Sequence, residues 1–160
     1  VPSPEILDLA ATVGARLKER GETIGVAEGS CGGLVSAALL SVGGASAYYV
    51  GGCVVYTGPG RTAFLGDAVE RPPGLRGATE VFARYCAQSI RARLGTTWGV
   101  GEGGATGPSG NPYGDPPGHC WLAVDGPTEA TRHLLTGDDD RVRNMEAFTT
   151  AALTLLLEQL

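Results

Sequence analysis

No apolar run in this chain approaches the roughly 20 residues needed to cross a bilayer as a helix. The first residues, Val1-Pro2-Ser3-Pro4, have neither the basic stretch nor the apolar core of a secretion signal. A cytoplasmic chain with no membrane partner is therefore expected. Basic residues are scarce: 12 Lys and Arg against 17 Asp and Glu, a formal net charge of -5. They are also scattered, which excludes the concentrated basic surface of a nucleic-acid binder. Paired cysteines are absent. The four cysteines, at 31, 53, 86 and 120, form no CxxC pair, so no zinc site and no disulfide framework is implied. Reduced and mostly buried thiols are expected, with no metal and no cofactor.

Glycine is what the chain has in quantity, at 26 of 160 residues. Such density marks tight turns or close approach of backbone to something else. At 16.3 kDa and 42% hydrophobic residues, the chain supports one core, hence one domain over 1–160.

Periodicity predicts helices over 5–20, 34–40, 79–94 and 141–160, and a short one over 61–65. In the last helix, Val142, Met145, Phe148, Ala152, Leu153, Leu156 and Leu160 are expected on one side. Strands are predicted over 23–27, 48–56, 96–101, 119–124 and 130–135, the last two as a hairpin. Residues 103–117 read as a Gly/Pro-rich loop too broken for an element interior. Asp138-Asp139-Asp140 reads as the start of the last helix. The order implies an α/β fold: one three-layer α/β/α domain with a mixed sheet.

Three clusters carry possible chemistry. Glu28-Gly29-Ser30-Cys31-Gly32-Gly33 lies between a strand and a helix, where backbone N–H groups can converge on an anion. The P-loop and GxGxxG patterns are absent, and GxSxG fails by one residue. Ser30 would need a base. Cys31 at a helix start could be acidified, or simply packed. Glu28 could act as a base, meet a ligand hydroxyl or cap local N–H groups. In the second cluster, Arg61 follows Tyr56-Thr57-Gly58-Pro59-Gly60 and suits a phosphate or carboxylate. The third, Gly103 to Gly110, offers hydroxyls and N–H groups on a loop.

Taken together, Val26 to Leu34, Gly43 to Tyr49, Gly51 to Thr57, Gly104 to Pro108 and Leu135 to Asp138 resemble the CinA C-terminal domain family. That domain also stands alone as nicotinamide-nucleotide amidase. The resemblance implies an amidohydrolase releasing ammonia from nicotinamide mononucleotide or a related pyridine nucleotide, without a metal, in a homodimer or larger homo-oligomer. It also implies a reactive serine and lysine, which fall on Gly29 and Arg61, and an arginine position that falls on Asp139. Ser30, Cys31, Tyr56 and Glu28 remain as candidate catalytic groups. Gly29, Gly32, Gly33, Arg61, Thr106, Gly107, Ser109 and Arg143 are candidate ligand contacts. Two readings stay open: hydrolysis by Ser30 or Cys31, or a catalytically silent nucleotide-binding or interaction protein. An amidohydrolase with another substrate is a further variant of the first.

Overall fold

The computed structural model describes residues 2–160. Helix α1 (Pro4–Arg20) starts where Ser3 accepts the Ile6 N–H and stops at Gly21 in the left-handed region, φ 64°. Strand β1 (Ile24–Glu28) follows, then α2 (Leu34–Leu40), a 3-10 turn (Ala45–Ala47) and β2 (Tyr49–Val54). Next come α3 (Gly58–Leu65), α4 (Glu80–Leu94), β3 (Trp98–Ala105), β4 (His119–Asp125), β5 (Ala130–Leu135) and α5 (Arg141–Gln159).

The sheet has five strands in the order β2-β1-β3-β4-β5. Strand β1 runs parallel to both β2 and β3, whereas β3, β4 and β5 pair antiparallel. Helices α1, α2 and α5 pack together on one face, and α3 and α4 cover the other. This is the expected three-layer mixed-sheet fold. Side chains alternate across β1: Ile24 and Val26 enter the main core, while Ala27 joins Val55, Leu65, Phe82 and Ile90 under α4. No helix among the described residues is long and apolar enough to cross a membrane.

The third strand is longer than periodicity predicts. Gly103 and Gly104 belong to β3, not to a loop. Its odd-numbered glycines, Gly99, Gly101 and Gly103, form a bare stripe beneath α4. A Cβ at Gly99 or Gly101 would collide with the carbonyl oxygens of Ala87 and Ala83, and one at Gly103 with the Phe82 ring. The opposite face of the same strand carries Trp98, Val100 and Glu102. Glycine here is the condition for helix and strand to meet at backbone distance, not a break in the strand.

Two smaller expectations also change. Strand β2 ends at Val54, which leaves Tyr56 in the connection to α3. Val142 lies on the exposed side of α5, while Phe148, Ala152, Leu153 and Leu156 fill the core.

Candidate functional site

Strand β1 sends its chain to one side, through α2 into β2, and β3 returns on the other side. The C-terminal ends of β1 and β3 therefore flank a topological switch point, where open α/β sheets bind ligands. Two cavities open there and share Tyr56 and Gly104 as common walls. The smaller, about 70 Å³, is bounded by Gly29, Ser30, Ala78, Phe82 and Gly103. The larger, about 260 Å³, is bounded by Thr106, Gly107, Ser109, Asn111 and Arg141. Together they form one groove, with Tyr56, 62% exposed, on its rim.

The groove is pinned from both ends. Arg141, the first residue of α5, donates to the Gly107 carbonyl at 2.7 Å and to the Tyr56 hydroxyl at 2.8 Å. Buried Asn144, one turn on, donates to the carbonyls of Thr106 and Asp138, both at 2.8 Å. The Gly107–Pro108 peptide is cis. The loop beyond closes on itself through Asn111 and Asp115. His119 Nε2 bonds the carbonyl of Ala78, a wall of the smaller cavity, and His119 Nδ1 meets His133 Nε2 at 2.8 Å.

Behind Ser30 lies Glu102, fully buried. One carboxylate oxygen accepts the N–H groups of Gly29 and Cys31, both at 2.9 Å. The other accepts the Ser30 N–H at 3.2 Å and, more closely, the Ser30 hydroxyl. The turn after β1 is thus an anion nest, and the anion it holds is the protein's own.

Several predicted contacts are placed elsewhere. Glu28 is buried under α2. It accepts the N–H groups of Gly33, Val35 and Ser36 and the Ser36 hydroxyl. It substitutes for the missing side-chain cap of α2, and burial raises its carboxyl above the ordinary range. The Cys31 thiol is 0% exposed within the main core. Burial, with Glu102 and the Cys120 sulfur adding to it, drives that thiol well above its ordinary range rather than acidifying it. Gly32 and Gly33 supply the positive φ angles of the turn, 68° and 101°, and wall neither cavity. Arg143 turns away to Asp138 and Asp140. Arg61 lies over the Phe82 ring, 5.4 Å from its centroid, beside the groove.

Gly29, Ser30, Tyr56, Thr106, Gly107 and Ser109 are brought together. Glu102, Arg141 and Asn144 were missed. Glu102 carried one signal, a lone acidic residue inside an otherwise glycine and apolar strand. Arg141 and Arg143 are indistinguishable until helix phase is known. Lys18, the sole lysine, donates to the Gly43 carbonyl at 2.6 Å and approaches neither cavity.

All four cysteines are free, and only Cys53 is not fully enclosed. A thiol reagent under native conditions is therefore expected to label Cys53 alone, slowly, and all four after denaturation. Fast native labelling of Cys31, read by peptide mass mapping, would contradict this burial.

A family model described as the CinA C-terminal domain matches residues 6–160. A CinA-like protein of Anaeromyxobacter dehalogenans strain 2CP-C is 40% identical over 151 residues, covering 93% of this chain and 36% of that protein. One of Salinibacter ruber is 37% identical over 149 residues, covering 91% and 35%. The chain spans about a third of the length of these curated relatives. Among solved structures, the competence/damage inducible protein CihA of Agrobacterium tumefaciens matches with a TM-score of 0.89 at 25% identity, over 99% of this chain and 97% of that one. A CinA superfamily protein of Escherichia coli matches with a TM-score of 0.88 at 22% identity, over 100% and 94%, a likeness of fold.

Proposed function

Since this chain belongs to the CinA C-terminal domain family, we propose that its groove binds nicotinamide mononucleotide or a related pyridine nucleotide and leaves the carboxamide uncleaved. The phosphate lies in the larger cavity, against Arg141 and the Thr106–Gly110 segment. The ring lies in the smaller one, toward Phe82 and Ser30. A guanidinium beside backbone N–H groups and hydroxyls suits a phosphomonoester even on an acidic protein.

One observation carries the silent half of this reading: among the described residues, neither Ser30 nor Cys31, the candidate nucleophiles, has a base free to serve it. Position 29 has no side chain, the Arg61 guanidinium offers donors and no acceptor, and Cys31 is buried in the core. Ser30 spends its proton on Glu102. Amide hydrolysis needs a positioned nucleophile, a proton for the departing ammonia and donors for the oxyanion. Here the first two parts are missing.

Hydrolysis through Ser30 is the second reading. In its favour, Ser30 borders the smaller cavity and its hydroxyl already meets a carboxylate. Against it, Glu102 is clamped by three backbone N–H groups and cannot follow its serine toward a substrate.

Titration with nicotinamide mononucleotide, with ammonia and nicotinate mononucleotide followed in parallel, separates the readings. Binding without ammonia is expected, with inorganic phosphate as a competitor. Arg141→Ala should weaken binding about 10- to 100-fold, the scale of a lost charge-assisted contact. Stoichiometric ammonia that disappears in Ser30→Ala would establish the second reading. Absence of binding would sink both.

A further inference from the structure

Among the described residues, Ala78 is the one residue other than glycine whose φ lies in the left-handed region, at 58°. A Cβ makes that conformation costly. Non-glycine residues are kept in it only where their surroundings over-determine them, and such places cluster at ligand sites. Ala78 is a wall of the smaller cavity, and it precedes Thr79, the residue that caps α4. It is held from two sides. In its own segment, the Thr79 hydroxyl donates to the Arg76 carbonyl at 3.0 Å and accepts the Phe82 N–H at 3.1 Å. From the sheet, His119 Nε2 meets the Ala78 carbonyl at 2.8 Å.

His119 starts β4, 41 residues further along the chain, and is not itself part of the cavity lining. A carbonyl oxygen only accepts, so His119 Nε2 carries a hydrogen. In the neutral ring Nδ1 is then a lone pair, and His133 Nε2, 2.8 Å away, donates to it. One backbone carbonyl thus fixes the tautomers of both rings. The His133 ring rests in turn on Trp121, with centroids 4.9 Å apart. Asp115 stands 3.7 Å from His119 Nε2, beyond bonding distance, and its carboxylate is engaged by Arg76 and Asn111.

We infer that His119 is a positioning residue for the ring of a bound nucleotide: it holds Ala78 in its left-handed conformation and so sets a wall of the smaller cavity, with His133 orienting it. This rests on the groove being a nucleotide site with its ring in the smaller cavity. Neither Ala78, His119 nor His133 lines the larger cavity, so the phosphate end is independent of this hold.

Calorimetry on the intact chain with nicotinamide mononucleotide and with ribose 5-phosphate, which lacks the ring, reads the two ends separately. His119→Ala should weaken the nucleotide about tenfold, the scale of one lost buried hydrogen bond, and ribose 5-phosphate by less than about twofold. His119→Gln places an N–H at similar reach and should return the nucleotide to within about threefold of the unaltered chain. His133→Ala, at an exposed position, keeps the bond to Ala78 and should lose less than His119→Ala. In the unaltered chain, nitrogen NMR of the imidazoles should show hydrogen on Nε2 of both neutral rings. The His119 signals should move when the nucleotide is added and stay in place with ribose 5-phosphate.

Equal losses for both probes in His119→Ala, or no recovery in His119→Gln, would make His119 a general contact of the fold and overturn this inference, with the groove reading left standing. His119 signals that ignore the nucleotide would do the same, and this measurement needs no variant to fold. Failure of both probes to bind the unaltered chain would overturn the groove reading, and this inference with it.

Discussion

Gly29→Ser combined with Arg61→Lys is expected to make the protein release ammonia from nicotinamide mononucleotide, at a rate at least about 10²-fold above the unaltered chain. The general-base contribution alone is worth about 10²–10⁴. Gly29 is not in the left-handed region, so a side chain is conformationally allowed. A Cβ there would meet the Glu102 carbonyl oxygen at 3.3 Å and Gly103 Cα at 3.9 Å. A shift of a few tenths of an ångström admits it. The new hydroxyl would stand at the border of the smaller cavity, beside a turn whose own serine is occupied. Arg61→Lys then supplies a group that can lose its proton, which a guanidinium cannot do. Each substitution alone should give little, because a nucleophile without a base and a base without a nucleophile act as incomplete units. Chromatography for nicotinate mononucleotide together with an ammonia assay reads the outcome. A double variant that binds nucleotide as before yet stays silent would show that the missing chemistry lies beyond these two positions.

The largest effect on stability is expected at Glu102. Alanine there removes the buried acceptor of three backbone N–H groups, one hydroxyl and the Cys120 thiol. Each buried donor left unpaired costs about 1–3 kcal/mol, reduced where the turn relaxes toward solvent. A loss of about 3–5 kcal/mol is expected, a large fraction of a typical domain's total stability, with Tm lower by roughly 10 °C. Glu102→Gln should lose less, since it keeps one oxygen and the same shape. Urea unfolding with an unchanged slope and a shifted midpoint is the readout. A change below about 1 kcal/mol in Glu102→Ala would mean that the turn does not depend on its internal anion.

The architecture was legible because it is written in local signals. Ser3 and Asp140 cap the helices they precede, and Ile24 and Val26 alternate with Gly25 and Ala27 as a buried strand requires. The β3 boundary was misplaced because glycine has two meanings, freedom in a turn and emptiness beneath a helix. Only the position of α4 distinguishes them. The site was half legible. Gly29, Ser30, Tyr56 and the 106–109 segment, which the family resemblance groups, are joined by the sheet. Its charged members were not. Glu102 lies 72 residues from Ser30 along the chain, and no local rule connects a strand acid to a distant turn. Arg141 was confused with Arg143 because two residues along a helix is more than half a turn. One points at the groove and the other at Asp138.

The bare stripe on β3 has a consequence for how this groove could be reshaped. Phe82 and Ala78 are walls of the smaller cavity, and both are carried by α4 or the residues leading into it. Their height above the ligand floor is gauged by contact between main chains, not by side-chain choice. Rotamer changes can do little to widen or narrow such a slot. An alanine at Gly101, set against the Ala83 carbonyl of α4 and outside the cavity lining, would instead act as a shim, lifting the helix and the cavity roof together. Adaptation to a bulkier ligand is therefore more accessible through single methyl groups hidden beneath the helix than through substitutions on the walls that the ligand meets.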